Sequence, residues 1–213
     1  MSSGQDAEAA LASLNRQLEA ADLRPVDSET AGKFGEYLAL ILRWNARTNL
    51  TAIRHPKEII NRHFVESITC AQVLPSGIAT LLDFGSGAGL PGIPIALCRP
   101  EIKVTLAESQ SKKAAFLQEA VRGLKLGSRV FAGRAENLHE QFDCVTLRAV
   151  DRMEQAILAA SKLVRSGGLL AVFTTDADLA IPGDTGNSWQ RSQLIPMVGS
   201  EQRLLVLFSK AEA

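Results

Sequence analysis

The chain has 213 residues, 46% of them hydrophobic and 22% charged, with 23 basic residues balanced by 23 acidic ones. That length supports one substantial core plus a small appendage, and zero net charge singles out no class of partner. No stretch approaches the eighteen or so apolar residues of a membrane span, no secretory signal opens the chain, and Cys70, Cys98 and Cys144 form no CxxC pair, which together point to a reduced, cytoplasmic protein.

Residues 1–75 read as helical throughout. A first helix is expected from about Asp6 to Ala21, ending at Arg24–Pro25. A second begins after Asp27, a suitable N-cap, and sets Phe34, Leu38, Ile41 and Leu42 at helical spacing. Pro56 suits the first turn of a third, which carries Ile59, Ile60, Phe64 and Ile68. Leu74-Pro75-Ser76-Gly77 then punctuates the chain, and a boundary there divides a helical region, 1–75, from a second domain, 76–213.

Beyond Ile78 short apolar runs alternate with helical patterns. Strands are expected at Thr80–Phe84, Val104–Glu108, Arg129–Ala132, Phe142–Leu147 and Leu169–Thr174. Helices are expected from Gly92, from Ser111 to Leu124, near Ala135, and from Asp151 to Val164. This alternation implies an α/β domain, a parallel sheet with helices on both faces. Leu204–Phe208 follows no helix and is expected as an antiparallel edge strand, while Asp176–Ser188 reads as a loop.

The sharpest feature is Asp83-Phe84-Gly85-Ser86-Gly87-Ala88-Gly89-Leu90-Pro91-Gly92, joining the first strand to the first helix of the sheet. Open parallel sheets bind ligands beyond the carboxyl ends of their strands, where this loop must lie. Gly87 to Gly92 formally matches the dinucleotide pattern GxGxxG, a weak signal by itself. Asp83-x-Gly85-x-Gly87-x-Gly89 resembles the loop of S-adenosylmethionine (SAM) methyltransferases, with Asp83 near the methionine ammonium or, more plainly, capping a turn. Glu108, ending the second strand, suits the two ribose hydroxyls, and its structural alternative is a cap for the next helix. Arg134-Ala135-Glu136 follows the third strand, where the adenine edge belongs.

Two stretches are locally basic. Arg43, Arg47, Arg54, Lys57 and Arg62 face Glu58 alone, and Lys112, Lys113, Arg122, Lys125, Arg129 and Arg134 face Glu119 alone. Either cluster suits phosphate or is simply a solvated helix face. Trp44 and Phe64 read as core by their spacing, Cys144 as a small core residue, and His63 as hydrogen-bonded to Glu66 or Asn49. His55, His63 and His139 have no metal-ligand spacing, so no metal is expected.

Several motifs together resemble one family, ribosomal RNA small subunit methyltransferase G, also called glucose-inhibited division protein B. They are Trp44-Asn45-x-x-x-Asn49-Leu50-Thr51-Ala52-Ile53, Arg62-His63-x-x-x-Ser67, Gly89-Leu90-Pro91-Gly92-Ile93-Pro94, Glu108-Ser109 with Lys112-Lys113, Arg134-Ala135-Glu136 and Arg148-Ala149. The resemblance implies a Rossmann-like class I SAM-dependent methyltransferase sheet behind a small helical N-terminal region. It implies a monomeric bacterial enzyme that methylates N7 of a guanine in the 530 loop of 16S rRNA. Cofactor contacts fall on the counterparts of Gly85, Leu90, Ala135, Glu136 and Arg148, beside Asp83, Gly87, Gly89 and Glu108 from the loop argument. Relatives often carry a lysine-glycine where this chain has Thr174-Thr175-Asp176-Ala177, a departure that bears on RNA affinity and leaves the cofactor half untouched.

Guanine N7 has an in-plane lone pair and no proton, so its methylation needs no general base. The chain agrees: Leu147-Arg148-Ala149-Val150 replaces the Asn/Asp-Pro-Pro-aromatic motif of amino-group methyltransferases, and no Pro-Cys pair offers a nucleophile. Arg148 suits the methionine carboxylate, guanine O6 or an RNA phosphate, against an ion pair with Glu136 or Asp151. Arg54, Arg62, Lys112, Lys113 and Arg134 are the expected RNA contacts. A SAM enzyme acting on another RNA or a small molecule shares the same loop and stays open at this point.

Overall fold

A computed structural model of the protein describes residues 14–150, 152–176, 179, 188–200 and 202–212. Helix α1 (Leu14–Ala20) buries Leu14 and Leu18; the remainder of the expected first helix, residues 6–13, lies outside the described residues. Helix α2 (Ser28–Asn45) starts where the Asp27 carboxylate accepts the Thr30 N–H at 2.7 Å, and it buries Phe34, Tyr37, Leu38 and Ile41. Pro56 opens α3 (Pro56–Ile59), where its missing N–H costs nothing. The chain then widens into a π-helical turn (Ile60–Phe64) and tightens again as α4 (Val65–Val73). Such turns are rare and recur at functional sites.

The sheet contains β1 (Thr80–Phe84), β2 (Lys103–Ala107), β3 (Arg129–Phe131), β4 (Phe142–Arg148), β5 (Val164–Thr174), β6 (Trp189–Pro196) and β7 (Leu204–Lys210). Helices α5 (Gly92–Cys98), α6 (Ser111–Gly123) and α7 (Met153–Lys162) connect strands, with a 3₁₀ turn at Ala135–Asn137. The spatial order is β3-β2-β1-β4-β5-β7-β6, parallel through β5 and antiparallel for the last two. Strands covered on both faces read as continuous apolar runs, and all of Phe142–Leu147 is buried.

Two apolar clusters flank the sheet because successive side chains point to opposite faces. Leu81 and Cys144 face a layer built from α1–α6, in which Phe34, Ile41, Phe64, Ile93 and Phe116 share one cluster. Leu82, Val145 and Leu147 face Leu138 and the Ala156, Ile157 and Ala160 side of α7. The helical layer and the sheet thus pack into a continuous core.

One expectation is corrected. The closing strand β7 is antiparallel, but it lies between β5 and β6, and β6 forms the edge. Residues Trp189–Pro196, to which no element is assigned from the sequence, form β6, and all eight are at least partly exposed. Strand β6 is held by its ladder to β7, with Leu194 opposite Val206, while Trp189 and Ile195 pack against the two apolar clusters. Of the expected loop at 176–188, residues 177–178 and 180–187 lie outside the described residues.

Candidate functional site

The loop from Asp83 to Gly92 leaves β1 at the carboxyl end of the sheet. Gly85, Gly87 and Gly89 take φ values of +73°, +56° and +82°. At Gly85 a side chain is opposed both by that φ and by Val150, whose Cγ1 lies 2.9 Å from the position of a Cβ. At Gly89 a Cβ would meet Ile93 Cδ1 at 2.5 Å and the Tyr37 hydroxyl at 3.0 Å. That hydroxyl donates to the Ala88 carbonyl at 2.5 Å, so α2 holds the loop from behind.

Asp83 is 1% exposed. Its Oδ2 accepts the Gly92 N–H at 3.1 Å, at the start of α5, and its Oδ1 accepts the Thr146 hydroxyl at 2.9 Å. Burial pushes its pKa up to about 6, against hydrogen bonds that favour ionisation. Of the two roles the sequence allows for Asp83, these contacts are those of the cap: the carboxyl holds the start of the helix from beneath the loop and is not among the residues lining the cleft.

Glu108 does line it, just beyond β2, and is 5% exposed. Oε2 accepts the Gly87 N–H at 2.9 Å and Oε1 the Gln110 N–H at 2.7 Å. Each oxygen retains a second lone-pair site for a further donor. The capping role is real, and it leaves room for a ligand hydroxyl.

Arg148, at the end of β4, has a side chain only 12% exposed. Its Nη2 lies 2.6 Å from the Glu66 carboxylate, 2.6 Å from the Arg62 carbonyl and 3.1 Å from His63 Nδ1, and its guanidinium sits 5.0 Å above the Phe173 ring. The alternative of an ion pair is met by Glu66, which reaches Arg148 from α4, and not by Glu136; Asp151 lies outside the described residues. His63 is corrected too. Its Nδ1 faces an arginine, which only donates, so the proton belongs on Nε2, 2.9 Å from the Thr51 hydroxyl. Burial and the neighbouring Arg148 and Arg62 hold its pKa down at about 3, leaving it neutral.

These residues enclose a cleft with two lobes. One, of about 530 Å³, is lined by Gly85, Gly87, Leu90, Glu108 and Arg148, with Thr51, Arg62, His63 and Lys113. The other, of about 480 Å³, is lined by Gly85, Arg134, Ala135 and Glu136, with Arg152 and Gln155. Gly85, Ser109 and Val150 belong to both. Asp83, Gly89, Arg54 and Lys112 line neither lobe. A separate hollow of about 560 Å³ between Arg24–Thr30 and Arg99 contains none of the predicted residues.

The basic clusters are only partly free. Arg43 pairs with Glu119 and Arg129 with Glu140. Arg54, Arg62, Lys112 and Arg134 are exposed. Trp44 donates from Nε1 to Glu119 at 2.9 Å and packs edge-on against Phe116, while Phe64 is fully buried. Both belong to the core, as does Cys144, whose thiol burial pushes well above its usual pKa. Thr51 and Glu66 escaped the sequence-based site list. Thr51 lies within the WNxxxNLT stretch, a signal that was available, whereas the sequence suggests Glu66 only as a partner for His63 and not for Arg148. Among the described residues no helix is long and apolar enough to cross a membrane, and no group of three or more candidate metal ligands occurs.

A glycine loop after β1, an acid after β2, a parallel sheet closed by an antiparallel pair and a two-lobed cleft at its carboxyl end define a class I SAM-dependent methyltransferase. Solved structures of that fold superpose on the chain: TYW2 from P. horikoshii in complex with MeSAdo (TM-score 0.57, 14% identity, 71% of this chain and 63% of that one) and mitomycin 7-O-methyltransferase MmcR (TM-score 0.57, 16% identity, 96% and 75%). Within that class, residues 30–183 match the GidB family model, rRNA small subunit methyltransferase G. Proteins named ribosomal RNA small subunit methyltransferase G are similar over most of the chain: one from Xanthomonas euvesicatoria is 40% identical over 92% of this chain and 93% of its own, and one from Stenotrophomonas maltophilia is 40% identical over 81% and 82%. The chain belongs to this family.

Proposed function

We propose that the protein methylates N7 of a guanine in the 530 loop of 16S rRNA, acting as a cytoplasmic monomer without a metal. The cleft fits SAM: its two lobes meet at Gly85, where any side chain would strike Val150, and their volumes fall in the range of small-ligand clefts. When bound, SAM supplies an electrophilic methyl group on a sulfonium. Glu108 has free lone pairs for the ribose hydroxyls. Ala135 and Glu136 border the adenine lobe, and the backbone at Gly85, Gly87 and Leu90 encloses the remainder. Gly89 and Asp83 support the loop from below.

The observation that carries the N7 reading is that the two candidate bases lining the Arg148 lobe, His63 and Glu108, are already engaged, while Glu136 borders the other lobe. His63 is neutral with Nδ1 already occupied, and Glu108 is tied to two backbone N–H groups. An acceptor that loses no proton is the one such a site serves, and orientation then supplies most of the rate. Arg54, Arg62, Lys112, Lys113 and Arg134 bring positive charge to the surface around the cleft, suited to a splayed single-stranded RNA segment. The test is primer extension after borohydride–aniline cleavage of 16S rRNA from cells with and without the gene. A gene-dependent break in the 530 loop is expected. Its absence, with SAM binding intact, overturns the substrate assignment.

A further inference from the structure

Glu66 lies outside the cleft, is 2% exposed, and accepts two arginines at once: Arg148 on Oε2 and Arg203 on Oε1, each at 2.6 Å. Arg203 belongs to the segment just before β7, 137 residues away in sequence. We infer that Glu66 is a positioning residue for methyl transfer, acting through Arg148.

The geometry gives Glu66 that role in three ways. Arginine has five N–H donors. All three short contacts of Arg148 fall on Nη2, namely Glu66, the Arg62 carbonyl and His63 Nδ1, while Nη1 has only a 3.5 Å contact to Ser67 Oγ. The Nη2 corner is thus anchored in protein, and the Nε–H and Nη1 groups of a cleft-lining residue stay available to a ligand. Second, Glu66 supplies the one negative charge in this set. His63 is neutral, and Arg62, Arg148 and Arg203 are all cations, so without Glu66 the buried Arg148 would lose its ion-pair partner. Third, Arg203 pins the other carboxylate oxygen, so the Glu66 rotamer is fixed from both sides. The π-helical turn just before Glu66 places the Arg62 carbonyl, His63 and Glu66 around one guanidinium. This inference rests on the proposed rRNA methylation for its substrate alone.

The test is a double-mutant cycle on the rate of tritiated methyl incorporation from SAM into small ribosomal subunits, at fixed subsaturating concentrations, counted whatever base receives the methyl group. Glu66→Gln offers one carbonyl oxygen and sets an amide donor against the second arginine. It should slow incorporation tenfold or more, as should Arg148→Lys. The double variant should be no slower than the slower single, because Glu66 has nothing left to position. Losses that multiply would overturn the inference, as would a cooperatively melting Glu66→Gln protein at the wild-type rate. If Glu66→Gln does not fold, Glu66→Asp takes its place in the cycle: withdrawing the carboxylate by one methylene should slow incorporation at least threefold, again with no further loss in the Arg148→Lys background. A wild-type enzyme that labels the subunit elsewhere than guanine N7, mapped separately by borohydride–aniline cleavage, would overturn the substrate reading and leave the cycle readable.

Discussion

Glu108→Gln is ordinarily a mild change, and here it should not be. Both carboxylate oxygens accept backbone N–H groups, Gly87 at 2.9 Å and Gln110 at 2.7 Å, in a side chain only 5% exposed. A glutamine has one oxygen and one NH₂, so either rotamer turns a donor toward a donor. The variant loses one charge-assisted hydrogen bond and leaves a backbone N–H without an acceptor, at about 2–3 kcal/mol of folding stability. For a domain of this size that lowers the melting temperature by roughly 4–12 °C. Urea and thermal melts without ligand measure it, and equilibrium dialysis with labelled SAM measures cofactor affinity on the same preparation. Ligand-free stability equal to wild type would refute the bridging geometry. Lost stability with unchanged SAM affinity would keep the bridge and refute the ribose role.

Other outcomes follow from the same contacts. Gly85→Ala combines a left-handed φ with a Cβ 2.9 Å from Val150 and should cost about 2–4 kcal/mol of stability, whereas Gly87→Ala, which meets nothing nearer than the Gly85 carbonyl at 3.9 Å, should cost about 1–2. Both line the cleft, so both should weaken SAM at least tenfold by dialysis, and equal melting curves would contradict the assigned backbone. The pKa of Asp83 is raised in the fold to about 6 from an ordinary 3.8, so the native state holds a proton that the unfolded chain has lost, and this group's contribution falls as pH rises from about 4 to 6. Asp83→Asn lacks that titration; its urea-melt stability relative to wild type should climb across that window and level off above it, and a flat difference would count against a buried, proton-holding Asp83. Removing the exposed Arg54 and Lys112 side chains together should reduce the slope of log affinity for RNA against log salt by about 1.4, the share of two single-strand phosphates, with SAM affinity unchanged. An unaltered slope would take both off the RNA surface.

What was legible in the sequence was local. Asp27, Pro56 and the glycine loop each fix backbone geometry within a few residues, and β1, β4 and α2 fall close to where their patterns place them. Gly85, Glu108, Ala135 and Arg148 follow strand ends, so an alternating pattern is enough to bring them to one edge. Strand β6 was illegible because its exposed face leaves no periodic signal and its register is set by β7. Partner choice was illegible for the same reason. The sequence neighbourhood of Arg148 offers Glu136, yet Glu66 pairs with it, brought near by the packing of α4 on the sheet.

That pairing bears on what the helical layer does. Among the polar contacts that cross from residues 14–75 to the rest of the chain are Tyr37 to the Ala88 carbonyl, Glu66 to Arg148 and Arg203, and Trp44 to Glu119. The first holds the glycine loop and the second holds the arginine facing it, so both walls of one lobe depend on residues from the helical layer. Buried polar contacts of this kind are costly to break singly, because each leaves a desolvated partner behind. A layer that only covered the sheet would need apolar contact alone, and Phe34, Ile41, Phe64 and Ile68 already supply that. The polar crossings set the position of the layer against the carboxyl end of the strands, where a small lateral slip would separate Arg148 from its anchors and open the loop at Ala88. The helical layer is therefore one wall of the site as much as it is a cover for the sheet.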